Sequence, residues 1–225
     1  MFGLTMQVKV SDKLVIRLAP LSKEDTESFI KNGGLQHHTV GRYLGLGSAP
    51  TIEDEQEWYD KTRASKTDVV WGIWIEEKNQ WKLIGTSAVK IDDSGALKYR
   101  QAVTGSLIVD KSYWGKGIAS AAHKARTWYA FNQLNLIRLK SAVALPNVGS
   151  RKALSRSGYI HHSLERYVQF VDGKPVHHEN LECLNPSDLA WSTWWHDDEP
   201  TKEAIEARET TKEALRWADE NVVLL

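Results

Sequence analysis

A strand that runs through two closely spaced glycines into a helix leaves few folds open. This chain has one at Ser106-Leu-Ile-Val-Asp110-Lys-Ser-Tyr-Trp114-Gly115-Lys116-Gly117-Ile118-Ala119-Ser120. Leu107, Ile108 and Val109 form an unbroken apolar run with β-branched members, which reads as a strand covered on both faces. From Ile118 to Phe131 apolar side chains recur at helical spacing, with Ile118, Ala122, Ala125, Trp128 and Tyr129 on one face. Helix N-termini carry unpaired N–H groups and a partial positive charge, so glycines at this junction let a phosphate approach the backbone.

The flanking sequence predicts a mixed α/β (α+β) fold on a partly antiparallel sheet, with one βαβ crossover. Lys13 to Leu18 reads as a strand, and Ser22-Lys-Glu-Asp25 as a capping box opening a helix to about Lys31, stopped at Asn32-Gly33-Gly34. Residues 33–50 hold five glycines with His37, His38, Arg42 and Tyr43, and read as a loop lining a site. Thr51-Ile-Glu-Asp54 opens a second helix running to about Arg63. Val69 to Ile75 and Trp81 to Val89 form a hairpin. Ala102 to Val109 is the central strand, where Gly105 marks a bulge or a close ligand approach. Arg138 to Val143 is a strand, Asn147 a helix cap, and Gly158 the stop of the helix from Val148. Tyr159 to Val171 and Val176 to Leu184 form a last hairpin turned at Asp172-Gly173.

Composition narrows function by exclusion. Twenty-nine basic and 29 acidic residues balance, so no global field draws in nucleic acid or an anionic membrane. Cys183 is the sole cysteine, which excludes an intramolecular disulfide and a multi-thiolate zinc site. The histidine pairs lack metal spacing, so no metal is expected. Without a signal peptide or a long apolar run, the chain is expected to be soluble and cytoplasmic. The ten tryptophans are expected mostly in core or pocket walls. Beyond Pro186 the composition shifts, and Thr201 to Asn221 reads as a charged helix with a thin apolar line, packed back through the tail tryptophans. The expected division is a domain over residues 1–185 and a tryptophan-rich extension over 186–225.

Three phosphate motifs compete at the glycines with a glycine turn that binds nothing. A P-loop is absent, because no Gly-Lys-Ser/Thr follows a glycine at the required spacing. A dinucleotide fingerprint wants glycine where Ser120 stands and an acid where the chain has Arg138 and Lys140. The third option is acyl-coenzyme A. Asp110-Lys-Ser-Tyr-Trp-Gly-Lys-Gly-Ile-Ala-Ser resembles the acyl-CoA loop of the GNAT superfamily of N-acetyltransferases, with Trp114 in its Gln/Arg place and Gly117 and Ala119 in its small-residue places. The Tyr-Trp-Gly-Lys-Gly form is similar to the RimJ/RimL-like branch. Val-Ile-Arg17-Leu-Ala-Pro, Thr51 to Trp58, and Pro146-Asn147 to Gly158-Tyr159 resemble that branch's opening strand, second helix and Asn-x-x-Ser … Gly-Phe helix.

The resemblance implies a GNAT fold, a mixed and mostly antiparallel sheet splayed at a bulge near Gly105 and flanked by helices. It implies acetyl transfer from acetyl-CoA, by direct attack in a ternary complex, to a primary amine: a protein N-terminal α-amine or a small molecule. The pantetheine would pair with backbone of Leu107, Ile108 and Val109, the pyrophosphate would sit on Gly115, Lys116, Gly117, Ile118, Ala119 and Ser120 beside Trp114, and Asn147 would bond the pantetheine. Ser150 occupies the branch's serine position as proton donor or relay, while Leu154 stands where many relatives carry a tyrosine. The carboxylate that relatives often carry before the strand glycine is Val103 here, so the candidate substitutes for the base are Glu179, His178, and His37 or His38, with His37, His38, Tyr43 and His178 as acceptor-binding candidates. An α-amine, with pKa near ~8, asks less of a base than a lysine near ~10.4. A non-catalytic acyl-CoA sensor is the competing reading, and the oligomeric expectation is a monomer or homodimer.

Overall fold

The computed structural model describes residues 1–31, 34–45 and 48–225. The expected stop at Asn32-Gly33, and Leu46 and Gly47 of the glycine-rich loop, lie outside the described residues. In chain order the elements are β1 (Met6–Ser11), β2 (Leu14–Ala19), a 3-10 helix (Glu24–Phe29), α1 (His38–Gly41), α2 (Ile52–Ala64), β3 (Asp68–Glu77), β4 (Gln80–Ile91) and β5 (Gln101–Ile108). There follow α3 (Ile118–Asn132), β6 (Arg138–Ala144), α4 (Val148–Ser155), β7 (Ile160–Val171), β8 (Lys174–Leu184), α5 (Asp188–Trp195), α6 (Lys202–Asn221) and β9 (Val222–Leu224).

Among the described residues nine strands make one sheet, ordered β7-β8-β6-β5-β4-β3-β2-β1-β9. The β5–β6 pair, joined by α3, is parallel and the other pairs are antiparallel. The β3–β4 and β7–β8 hairpins close through Lys78-Asn79 and Asp172-Gly173, each with both residues at positive φ, the backbone that two-residue hairpin turns require.

Local chemistry accounts for the helix starts. Thr51 and Asp54 form a reciprocal capping box before α2. Ser22 and Asp25 exchange the same pair of hydrogen bonds, yet the segment they open is a 3-10 helix that ends at Phe29 rather than an α-helix to Lys31. The chain turns back there, with Leu35 N donating to Phe29 O at 2.7 Å, and Phe29 lies edge-on to Trp58 of α2.

One face of the sheet carries α3 and α6 over a core of Met6, Val8, Ile16, Leu18, Trp71, Ala122 and Leu139. The other carries the 3-10 helix, the α1 segment and α2 over Leu21, Phe29, Leu35, Val40, Leu83 and Val109. β1 reads Met6-Gln-Val8-Lys-Val10 with Met6 and Val8 buried, the period-2 alternation of a strand with one face on the core. Of the ten tryptophans only Trp71 is fully buried, while Trp128 and Trp217 on one face and Trp58 and Trp74 on the other are half-buried against the two cores.

The helix beyond Pro186 packs on α3, β1 and β8 with Ala204, Thr211, Ala214 and Ala218 as its buried positions, and with Leu215 and Trp217 half-buried against the same core. Gly158 shows why small residues are needed, since a Cβ there would stand 1.9 Å from Thr211 Oγ1. Trp191 and Trp194 of α5 face cations, Arg208 over Trp191 and Arg138 over Trp194.

Candidate active site

The parallel pairing of β5 with β6 covers Gln101 to Val103 against Arg138 to Lys140 and then stops. Past that point side chains bridge the widening gap. Thr104 Oγ1 donates to Lys140 O at 3.2 Å, and Ser141 Oγ donates to Thr104 O at 3.5 Å. From α3, the fully buried Arg126 sends Nη1 to Gly105 O at 2.7 Å. Burial lowers the pKa of this guanidinium, which has no carboxylate partner among the described residues. The bulge expected at Gly105 is corrected by the register: β4 and β5 run without a shift from Gly85–Ile108 to Ile91–Ala102. β6 leaves a regular strand. Gly105 matters by what it leaves empty, since a Cβ there meets nothing within 4 Å.

The ladder also decides which backbone groups face the gap. Asp92 N donates to Gln101 O and Val109 N to Ile84 O, so odd-numbered positions of β5 turn toward β4. Ile137 N donates to Arg100 O, so even-numbered ones turn toward β6. Ser106 and Ile108 therefore offer the free groups, whereas Leu107 and Val109 are turned to β4 and only Ile108 of the expected trio faces the gap. The Ile108 carbonyl accepts the Trp114 indole N–H at 3.0 Å, which ties the loop to the strand end.

The loop is held rigid on its outer side. Asp110 caps a 3-10 turn over Lys111–Tyr113 and pairs with Lys82, which also meets the Tyr113 hydroxyl. Gly115 and Gly117 have φ of +75° and +83°, a region in which residues with a Cβ are strained. Gly117 is the N-cap of α3 and places no side chain over the helix end. The amides of Ile118, Ala119 and Ser120 occupy its first turn, where intrahelical acceptors are lacking. Two cations flank them: Lys116 over the Tyr113 ring, and Arg156, which donates to Ser120 Oγ at 3.2 Å. This cradle of bare amides between cations fits a pyrophosphate.

At the start of α4, Asn147 Oδ1 accepts the Ser150 N–H at 3.2 Å, which leaves the Asn147 amide NH2 for a ligand. Ser150 is half-buried. Leu154 is buried in the core, and the buried Tyr159 hydroxyl meets Thr104 Oγ1 at 3.4 Å. Burial raises the Tyr159 phenol, keeping its proton in place at neutral pH. Glu179, also buried, is engaged by Arg151 of α4 and by His161 at 3.2 Å. The Arg151 hydrogen bond holds its carboxyl below the usual range. Glu179 is in this way an anion fastened to α4.

Alternation on β8 sends the neighbour of Glu179 to the opposite face. There His178 stands across from Ala144 of β6 and Glu165 of β7. Val103, 45% exposed, paves the floor of the same face beside Gly105, in the place where a carboxylate had been sought. A wall comes from the α1 segment leaning on the β7–β8 hairpin. His38 Nε2 lies 2.7 Å and Arg42 Nη1 3.3 Å from the Asp172 carboxylate. Arg42 also donates to the Tyr43 hydroxyl and stacks over its ring, and Tyr43 donates to Pro146 O at 3.3 Å. His38, Tyr43 and His178 thus share one side of the molecule. His37 is exposed and caps α1, its Nδ1 accepting from Thr39 N. His177 Nδ1 accepts the Tyr167 N–H in the β7 bulge. Sequence reasoning passed over Arg126, a charge set in an apolar helix face, and Gln169, for which no local signal existed, and read Asp172 only as a turn. Among the described residues no cluster of three or more His, Cys, Asp or Glu side chains could hold a metal, and no helix is long and apolar enough to cross a membrane.

Residues 16–160 match the family model described as acetyltransferase (GNAT) domain. A probable N-acetyltransferase of Bacillus subtilis, YjcK, is 33% identical over 146 residues, covering 65% of this chain and 76% of that protein. Among solved structures, Mycobacterium smegmatis RimJ in complex with CoA-disulfide superposes with a TM-score of 0.64 at 21% identity, over 86% of this chain and 94% of that one. Spermidine N-acetyltransferase from Vibrio cholerae, in complex with CoA and spermine, does so with a TM-score of 0.63 at 20% identity, over 77% and 96%.

Proposed function

This chain belongs to the GNAT acetyltransferase family, and we propose that it moves an acetyl group from acetyl-CoA to a primary amine by direct attack in a ternary complex. The observation that carries this is the level at which two features meet. The β5–β6 pairing ends at Val103–Lys140, and the same strand leads into a helix N-terminus stripped of side chains by Gly115 and Gly117. The amides of Ile118 to Ser120, with Lys116 and Arg156, hold the pyrophosphate. The groups of Ser106 and Ile108 turned to the gap, with the Asn147 amide, align the pantetheine. Bound this way, acetyl-CoA supplies an activated thioester carbonyl. Ser150 at the start of α4 hands a proton to the departing sulfur. The extension over residues 186–225 serves stability, through α6 on α3.

The acceptor enters from the face that carries Val103, Gly105 and His178. Three carboxylates of that face are engaged, Asp172 by His38 and Arg42, Asp92 by Lys140 and Glu182 by Arg138, while Glu165 opposite His178 has no ion-pair partner among the described residues. A polycationic amine therefore finds little uncompensated negative charge. The face suits a weakly basic amine, such as the α-amine of a protein N-terminus or a small molecule, already partly neutral near pH ~8. The test is release of free thiol from acetyl-CoA against peptides with free N-termini, polyamines and small amines. Absence of acetyl-CoA binding in calorimetry would sink the proposal.

A further inference from the structure

Three buried polar atoms lack partners among the described residues in one corner of the acceptor face: Nε of Arg42, Nε2 of Gln169 and Nε2 of His178. They belong together by geometry. Gln169 pairs with Val176, two residues from His178 on the same face of β8. Gln169 Oε1 also lies 3.2 Å from where a Cβ on Gly45, three residues past Arg42, would stand. Buried polar groups are nearly always bonded, and a set of orphans converging on one corner marks a place where a polar ligand completes them. Two of the three are obligate donors. The imidazole nitrogen is the one that can accept a proton.

The level is right as well. Continuing the β5–β6 register past Val103–Lys140 sets Ala144 beside Leu107, at the wide end of the splay, and His178 is the residue paired with Ala144. We propose that His178 Nε2 takes the proton from the attacking amine, replacing the carboxylate absent at Val103, while Arg42 and Gln169 donate to a carbonyl oxygen next to that amine. The inference rests on the acetyl-transfer reading above. The amine nitrogen forms its bond to the carbonyl carbon and the carbon–sulfur bond breaks. The thiolate gains one proton, and the proton lost by nitrogen passes to the ring and then to solvent. Charged groups on the side of the ring are Glu165 directly across on β7 and the Arg42–Asp172–His38 cluster beyond Gln169, while Lys140 of β6 lies four residues from Ala144 and is held by Asp92.

The experiment compares wild type, His178→Gln and His178→Ala with the best acceptor from the thiol-release panel. Both variants are expected to bind acetyl-CoA as wild type does and to lose kcat by ~100-fold, the usual worth of general base catalysis. The low-pH limb of the wild-type kcat/KM profile should vanish in His178→Gln, and added imidazole should restore rate to His178→Ala but not to His178→Gln. A His178→Gln enzyme within about threefold of wild-type kcat, or a uniform loss across pH that imidazole does not lift, overturns the assignment. Should His178→Ala melt early, the isosteric Gln variant decides alone. A wild-type protein that transfers to no amine would count against the acetyl-transfer reading itself, a result distinguishable from active enzyme with an active His178→Gln.

Discussion

At the splay, the two faces of the sheet are made of different material. The face toward α3 and α4 is backbone: two glycines at positive φ, helix amides, and the free edge of β5 at Ser106 and Ile108. The opposite face is side chain, brought from the α1 segment, β5, β6 and the β7–β8 hairpin. A cradle of amides takes any phosphate of the right length, so one short stretch of chain can carry it whole. A face built of side chains from four segments chooses its ligand and can change with any of them.

The largest effect expected from this division is at Gly117. Gly117→Glu places a carboxylate over the amides and should abolish acetyl-CoA binding in calorimetry, while Gly117→Ala adds only the ~1–2 kcal/mol of left-handed strain. Equal loss in both would mean that strain, not charge, decides. Next is removal of residues 187–225, which uncovers the α3 face where Ala204, Thr211, Ala214 and Ala218 are buried. A thermal melt should shift down by ~10 °C or more, given several kcal/mol of lost burial; an unchanged melt would detach α6 from the fold's energetics. Third, Gly105→Val fills open space on the acceptor face and favours strand. The melt and donor affinity should hold while the acceptor KM rises by ~10-fold, on the order of one displaced contact at 1.4 kcal/mol per decade. A donor affinity that falls instead would place Gly105 on the wrong face.

The smallest effect concerns Glu55, in α2 above the acceptor face. Burial, with Asp54 adding repulsion, raises its carboxyl from 4.5 to about 7. A raised folded value means that the native state holds the proton more tightly. The stability this brings is complete below the unfolded value and lost as pH climbs through the folded one. Glu55→Gln should match wild type below about pH 4 and exceed it above pH 7, by ~1 kcal/mol once solvent screening of this half-exposed group is allowed for. Denaturant melts at both pH values check the sign.

The same division explains what could be read from sequence. The loop from Asp110 to Ser120, the capping box at Thr51 and the turns at Lys78-Asn79 and Asp172-Gly173 are local, because φ signs and cap hydrogen bonds are set within a few residues. The splay was legible in outline and mislocated in cause, since the β4–β5 register is regular at Gly105 and Thr104 and Ser141 are the side chains that reach across to β6 and β5. His178 and Glu179 illustrate the limit most sharply. As neighbours in sequence they were interchangeable candidates, and only the position of Arg151 on α4 separates the anchored anion from the free ring. Gln169 carried no signal and Asp172 only that of a turn, because their contacts depend on a loop that lies more than a hundred residues earlier.

The seam between β1 and β9 has a kinetic consequence. Pairing Met6 with Leu224 closes a loop of 218 residues, the difference of the two positions. Closing so long a loop costs little more than closing one half its length, about 0.6 kcal/mol, but it lengthens the search that precedes folding. The three-residue β9 has no local partner and gains only after β1, α3 and α6 have come together. This outer seam should therefore zip last, and its amides should exchange with solvent long before those of Trp71 and Ile73 at the centre of the sheet.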